Sequence, residues 1–455
     1  MTRPFLLIAA ILAGFAVPAF AQELLLDGDW DGGVRVAAGM ELPLTLHLRG
    51  GLSTMDSPDQ GAANVQLIVT REGDDIIVEV PSAKGVFTLR PAADGVSLAG
   101  SLAQHGAQLP AHFARRAAGA PVLVRDRPQM PKPPFPYGAK EVEFPSDAGV
   151  MLAGTLIRPA GAGLLPAVVL IAGSGPQNRD ETVSGHKPFL IIADRLARAG
   201  IAVLRYDKRG VGGSSGDYRG ATAADFVTDG RAALAWLRRQ PGIDPNRIGL
   251  IGHSEGAEIA PEIARGNPDV AFLVLLAPPG VRGDQVLLTQ KRAIELAGGM
   301  PADIVDQSIA TETDMIAAVM ASPDAETARN KVSSLLMARG ESADRAAVIA
   351  ADAASPAFRG LLDRDPIPAL KMLDQPVLVI AGARDLQVLP DVNLPPIRAA
   401  LAGNRDARIV LMPGLNHLLQ PAATGTPQEY VSISTTIDPA VLDLIEHWVT
   451  AKAKR

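Results

Sequence analysis

The chain has 455 residues, 47% of them hydrophobic and 20% charged, with a net charge of −6, 4% aromatics and no cysteine. At about 100–200 residues per domain, two or three folding units are expected. The acidic balance without a basic stripe argues against nucleic acid as a partner, and the missing thiols exclude cysteine nucleophiles, thiolate metal sites and disulfides.

Residues 1–21 read as a signal peptide. Arg3 supplies the positive start, Phe5–Val17 the apolar run, and Ala19-Phe20-Ala21 an A-x-A cleavage site. The mature chain is expected to begin at Gln22 and to be periplasmic or secreted. The apolar run is shorter than the ~20 residues that cross a bilayer, and no later stretch is long enough, so no membrane span is expected after cleavage.

Residues 22–126 read as a small β-rich domain. Leu42–Leu48, Val65–Val69, Ile76–Val80 and Gly85–Leu89 run or alternate apolar between Gly, Asp and Pro turns, which predicts a small sheet, sandwich or barrel. His47, His105 and His112 are scattered there with no catalytic constellation, and structural or solvent-facing roles are assigned to them. A linker at 127–137 follows, with prolines at Pro128, Pro131, Pro133, Pro134 and Pro136, a composition that is extended and stiff.

Residues 138–455 change rhythm. Leu165–Ala172, Ala202–Tyr206, Ile248–Gly252, Phe272–Ala277, Val377–Ala381 and Arg408–Met412 are apolar runs without alternation, as expected of strands buried on both faces of a mostly parallel sheet. Helical stretches separate most of them: Pro188–Ala199, Ala223–Arg239, Ser254–Arg265 and Pro395–Ala402, with Pro439–Ala451 closing the chain. This predicts a doubly wound α/β architecture. From about 282 to 369 there is no strand signal, only Ala-rich helical stretches such as Val286–Ala297 and Thr327–Ala338. A helical insertion is expected there, a lid or pocket wall above the strand ends, with a plain spacer as the alternative.

Gly252-His253-Ser254-Glu255-Gly256 is G-x-S-x-G between a buried strand and a helix. So tight a turn needs small residues on both sides and lifts the serine hydroxyl above the sheet. A serine needs a base, and the base an orienting carboxylate, in the chain order Ser, acid, His. Asp385 and His417 follow two later strands at their carboxyl ends. Asp391 competes with Asp385, whereas Asp374 precedes its strand and falls at the wrong edge. His253 adjoins the nucleophile and is expected to point elsewhere, and His447 lies within the last helix. The oxyanion is expected to meet the N–H groups of Glu255 and Ser174, with Gly173 or Gly175 as alternatives to Ser174. Arg179-Asp180-Glu181 reads as a solvated or locally paired cluster. The Asp207-Lys208-Arg209-Gly210-Val211-Gly212 turn fits neither a dinucleotide fingerprint nor a P-loop and reads as a packed polar turn. No metal-ligand spacing is present.

Together, Gly173-Ser174-Gly175-Pro176-Gln177-Asn178-Arg179-Asp180, the Asp207–Gly212 turn, Gly252–Gly256, Asp385 and His417 resemble the EstD-type bacterial carboxylesterases. These lie close to the serine aminopeptidase-like branch of the α/β-hydrolases. The resemblance covers roughly Val142 to Lys454 and leaves the β domain unexplained. It implies an α/β-hydrolase fold with a helical cap, a Ser254–His417–Asp385 triad, no cofactor, and a small-molecule ester of short acyl chain as substrate. A serine peptidase or an acyltransferase would use the same triad. A non-catalytic binding protein would have no need of Ser, Asp and His in that order. No signal of oligomeric state is present.

Overall fold

The computed structural model describes residues 26–37, 40–50, 52–60, 62–83, 85–104, 107–117, 127–147, 149–161, 163–218 and 220–454. The signal segment at 1–21, the Gln22 start and His105 lie outside them. Two compact units form, one within Met1–Ser57 and Ala63–Leu123, the other within Pro58–Ala62 and Val124–Arg455.

The first unit is a closed barrel of eight strands in sequence order: β1 (Gly28–Ala37), β2 (Met40–Leu48), β3 (Ser53–Ser57), β4 (Ala62–Glu72), β5 (Asp75–Val80), β6 (Gly85–Pro91), β7 (Ser97–Gln104) and β8 (Ala107–Arg115). β8 returns antiparallel to β1, with Trp30 opposite Arg115 and Val34 opposite Ala111. Closure removes the exposed edge that an open sheet of this size would carry. In β5, Ile76, Val78 and Val80 are buried in alternation, the period of a strand with one apolar face. They join Trp30, Leu46, Phe87 and Phe113 in a filled interior, where Phe87 and Phe113 meet edge to face at 5.8 Å. His47 bonds to Asp29 and Asp56 at 2.8 and 3.1 Å, and His112 stands 3.6 Å from Glu41.

The second unit is an eight-stranded sheet. Its strands are β9 (Tyr137–Pro145), β10 (Met151–Pro159), β11 (Leu165–Ile171), β12 (Ala202–Tyr206), β13 (Ile243–His253), β14 (Leu273–Leu276), β15 (Val377–Gly382) and β16 (Ala407–Met412), in the order β16-β15-β14-β13-β11-β12-β10-β9. The six strands from β11 to β16 run parallel. β9 and β10 form an antiparallel edge that the sequence pattern does not announce.

Helices cover both faces. Ala167, Val169 and Ile171 of β11 face one core, built with α2 (Ala223–Arg238), α3 (Glu255–Ala264), α9 (Ile367–Lys371) and α10 (Pro390–Ala400). Val168 and Leu170 face the other, built with α1 (Pro188–Arg198) and α11 (Pro439–Lys452). This is why the run lacks alternation. α10 begins at Pro390, ahead of the expected Pro395, and carries Pro395 and Pro396 inside it.

The fold is that of an α/β-hydrolase with a helical cap. The cap comprises α4 (Gly283–Ala297), α5 (Ala302–Met320), α6 (Ala325–Ala338), α7 (Ala343–Ala353) and α8 (Pro356–Asp363). It has its own core around Ile316, Val319, Val332, Leu336 and Leu362, so it is a folded layer and not a loose spacer. β11 has β12 on one side and β13 on the other. That is a switch point, and α/β sheets open a crevice at the carboxyl ends of such strands.

Candidate active site

The elbow forms at the end of β13. Ser254 has φ 52° and ψ −118°, a conformation that L residues rarely hold, immediately before α3. Both glycines of G-x-S-x-G are required by space. A Cβ on Gly252 would lie 2.1 Å from the Gly256 carbonyl, and one on Gly256 would lie 1.9 Å from the Ile171 carbonyl. The second contact is with β11, so the nucleophile turn and the loop that begins at Gly173 are packed against each other.

The loops after β15 and β16 are joined as tightly. A Cβ on Gly382 would lie 2.3 Å from the Leu415 carbonyl, and the Arg384 N–H donates to that carbonyl at 2.8 Å. Between these loops His417 Nδ1 meets Asp385 Oδ2 at 2.8 Å. Asp385 is 1% exposed, and its other oxygen accepts the N–H groups of Gln387 and Val388, each at 2.8 Å. Three hydrogen bonds orient the carboxylate. Asp391, the competing acid, stands in the first turn of α10.

Ser254, His417, Ser174 and Glu255 line one cavity of about 100 Å³. Pro279 and Val388, together with Val286, Leu287, Gln290 and Leu361 from the cap, complete its wall. The insertion is therefore a pocket wall. Glu255 is the first residue of α3, and its N–H has no intrahelical acceptor. Of the alternatives to Ser174, the Gly173 N–H is taken by Glu181 Oε1 at 2.6 Å. The Ser174 N–H has no acceptor among the described residues.

Two features depart from expectation. Glu181 is not solvated: it is 2% exposed and lies beneath the site. Besides Gly173, it binds His253 Nδ1 at 2.9 Å, while His253 Nε2 meets the His417 carbonyl at 3.1 Å. This second acid–imidazole pair therefore connects the loops of Ser174, Ser254 and His417. Burial alone would push the His253 pKa down, but the Glu181 carboxylate outweighs it and raises the value above that of free imidazole. The charged residues beside Glu181 in sequence go elsewhere: Arg179 to Asp207 and Glu141, and Asp180 to Arg205.

The other feature is a buried row of charges on the cap side. Lys208 bonds to Glu255 at 2.7 Å, and Arg364 bonds to both Glu255 and Glu258 at 2.9 Å. Arg364 follows α8, and its carbonyl accepts the Gly283 N–H at 3.0 Å, so the two ends of the cap meet at the residue that anchors it to α3. Burial would raise both carboxyl pKa values. Lys208 and Arg364 together hold Glu255 down at about 2, whereas Glu258 has only Arg364 and stays raised at about 7. Among the described residues no group of His, Asp and Glu is placed to hold a metal ion, and no helix is long and apolar enough to cross a membrane.

Comparison with known proteins agrees with this frame. Esterase EstD of Thermotoga maritima is 32% identical over 300 residues, 66% of this chain and 65% of that one. A thiohydrolase of Arthrinium phaeospermum is 32% identical over 147 residues, 31% of this chain and 44% of its own. The chain thus spans less than two thirds of either relative. Among solved structures, an esterase of Pyrococcus furiosus aligns over 70% of this chain and 91% of its own, with 17% identity and a TM-score of 0.44. The model of the X-Pro dipeptidyl-peptidase (S15) family matches residues 148–414, from the antiparallel edge of the sheet to the loop that leads to His417. By that match, which takes in more than half of the chain and the whole elbow, this protein belongs to the S15 family of α/β-hydrolases.

Proposed function

We infer that the protein is a serine carboxylesterase for short acyl esters, with Ser254 as nucleophile, His417 as base and Asp385 as its orienting acid. The observation that carries this reading is the buried His417–Asp385 bond at the rim of a cavity that Ser254 and Ser174 also line.

Ser254 attacks the ester carbonyl while His417 Nε2 takes its proton. Asp385 keeps the other ring nitrogen protonated and stabilises the imidazolium that results. The N–H groups of Ser174 and Glu255 receive the oxyanion. His417 then protonates the leaving alcohol, and water resolves the acyl-enzyme by the same steps in reverse. The cavity of about 100 Å³, with Val286, Leu287 and Leu361 as an apolar wall, favours an acyl group of few carbons.

The test is hydrolysis of p-nitrophenyl acetate, butyrate and decanoate beside Ser254→Ala. Turnover of the short esters, lost in the variant, supports the reading. Turnover that survives Ser254→Ala overturns it. The family match favours one second reading, a peptidase using the same residues. Cleavage of an X-Pro p-nitroanilide faster than any of the esters would establish it. Export rests on Arg3, Phe5–Val17 and Ala19-Phe20-Ala21, and an N-terminus at Gln22 on protein recovered from the periplasm or medium would support it.

A further inference from the structure

One buried cation touches both halves of the oxyanion hole. Lys208, in the turn after β12, is 4% exposed. Its Nζ donates to the Gly173 carbonyl at 2.5 Å and to Glu255 Oε2 at 2.7 Å, and it stands 4.6 Å from the centre of the Phe226 ring. A buried ammonium is costly unless its protons are matched. Glu255 matches the charge, but a second contact goes to a backbone carbonyl with a special place in the site.

The Gly173 carbonyl and the Ser174 N–H belong to one peptide unit. In a trans peptide these groups point in opposite directions. Whatever holds the carbonyl on one side therefore aims the N–H to the other, where the cavity lies. The preceding peptide is held as well, because the Gly173 N–H is gripped by Glu181 Oε1. A cation bound to the carbonyl also polarises the peptide and makes its N–H a stronger donor. The other contact of Lys208 is the side chain of Glu255, whose backbone N–H is the second donor.

We propose that Lys208 is a positioning residue of the oxyanion hole, orienting and polarising the Gly173–Ser174 peptide while it fixes Glu255. The inference rests on Ser254 being the nucleophile. It gives the Asp207-Lys208-Arg209-Gly210 turn a role beyond packing, because Lys208 reaches across from the next strand to the donor loop.

The experiment uses the full chain with Lys208→Met and reads kcat and KM on p-nitrophenyl butyrate. It also reads the affinity of two inhibitors: an alkyl trifluoromethyl ketone, which adds to the serine and forms an oxyanion, and the matching methyl ketone, which does not. Loss of one oxyanion donor lowers kcat by roughly 10²–10³-fold. A misaimed donor should cost about tenfold to a hundredfold in kcat, with KM within about threefold. The trifluoromethyl ketone should weaken by a similar factor and the methyl ketone should not. A kcat within threefold of wild type, or equal weakening of both ketones, overturns the proposal.

If Lys208→Met does not fold, Lys208→Met with Glu255→Gln removes the cation and its carboxylate together, read against Glu255→Gln alone. Failure of that protein to fold also overturns the proposal, by marking the lysine as a structural pillar. Failure of the esterase reading is seen separately, in the wild type and Ser254→Ala, before Lys208 is altered.

Discussion

Asp385 divides its carboxylate between two tasks: Oδ2 meets His417 Nδ1 at 2.8 Å, while Oδ1 accepts the N–H groups of Gln387 and Val388. This makes Asp385→Asn an informative substitution. The two backbone donors demand an acceptor at the Oδ1 position, so the amide oxygen settles there and the NH₂ faces His417. An NH₂ there needs Nδ1 as acceptor, which puts the ring proton on Nε2, the nitrogen that must receive the serine proton. We expect kcat to fall by roughly 10³-fold or more while the melting temperature changes little. Loss below tenfold would point to Asp391.

Ser254 carries backbone strain at φ 52°. A side chain held in such a conformation costs on the order of 1–3 kcal/mol, part of which glycine gives back through its looser unfolded chain. Ser254→Gly and Ser254→Ala should both be inactive. Ser254→Gly should be the more stable, by about 1 kcal/mol in denaturant titration. Equal stabilities would show that the elbow relaxes without cost.

Much of this site is legible in the sequence because of where the strands end. The parallel strands carry apolar runs that feed two cores from alternate residues, as Val168 and Val169 do. Such runs stand out, and Ser254, Asp385 and His417 each follow one. β9 is not legible: Lys140, Glu141 and Glu143 are exposed on an antiparallel edge and resemble any surface segment. Closure of the barrel is not legible either, because pairing of β1 with β8 depends on strands at opposite ends of the unit. Glu181 looks solvated in sequence because its partner His253 lies 72 residues away. Only its nearness to Gly173-Ser174-Gly175 marks it.

Arg364 is the bond between the cap and the nucleophile helix. Removing one member of a buried, paired charge group typically costs about 3–5 kcal/mol. Arg364→Met should lose stability on that scale. It should also raise KM more than it lowers kcat, because Leu361 and Val286 of the cap line the cavity. Steady-state kinetics and thermal unfolding measure both, and an unchanged KM would detach the cap from substrate binding.

Glu258 makes stability depend on pH. Burial raises its pKa from an unfolded value of 4.5 to about 7, with Arg364 offsetting only part of the effect. Below 4.5 both states hold the proton. Between 4.5 and 7 the unfolded chain gives it up first, so the stability contributed by this group is lost as pH rises through that window. Glu258→Gln cannot titrate. Its stability relative to wild type should therefore increase between pH 5 and 8, by on the order of 2 kcal/mol, and then level off. A difference that is flat across this range would place the folded value near 4.5.

His253 faces acceptors at both ring nitrogens: the Glu181 carboxylate at Nδ1 and the His417 carbonyl at Nε2. A neutral imidazole has one N–H, so two such bonds need a second proton within the pair. The raised pKa of the ring places that proton on His253. Burial opposes the charge, and Glu181 outweighs it, so the folded value lies above 6.5. The stability from the pair is then complete below pH 6.5 and declines as pH rises through the raised value. In ¹⁵N-labelled Ser254→Ala, the His253 ring should give up its second proton only above the free imidazole value of about 6.5. Glu181→Gln should lose that proton at lower pH, and its stability deficit against wild type should shrink in alkali. A ring that loses its second proton at or below about 6.5 in the parent would overturn the charged pair.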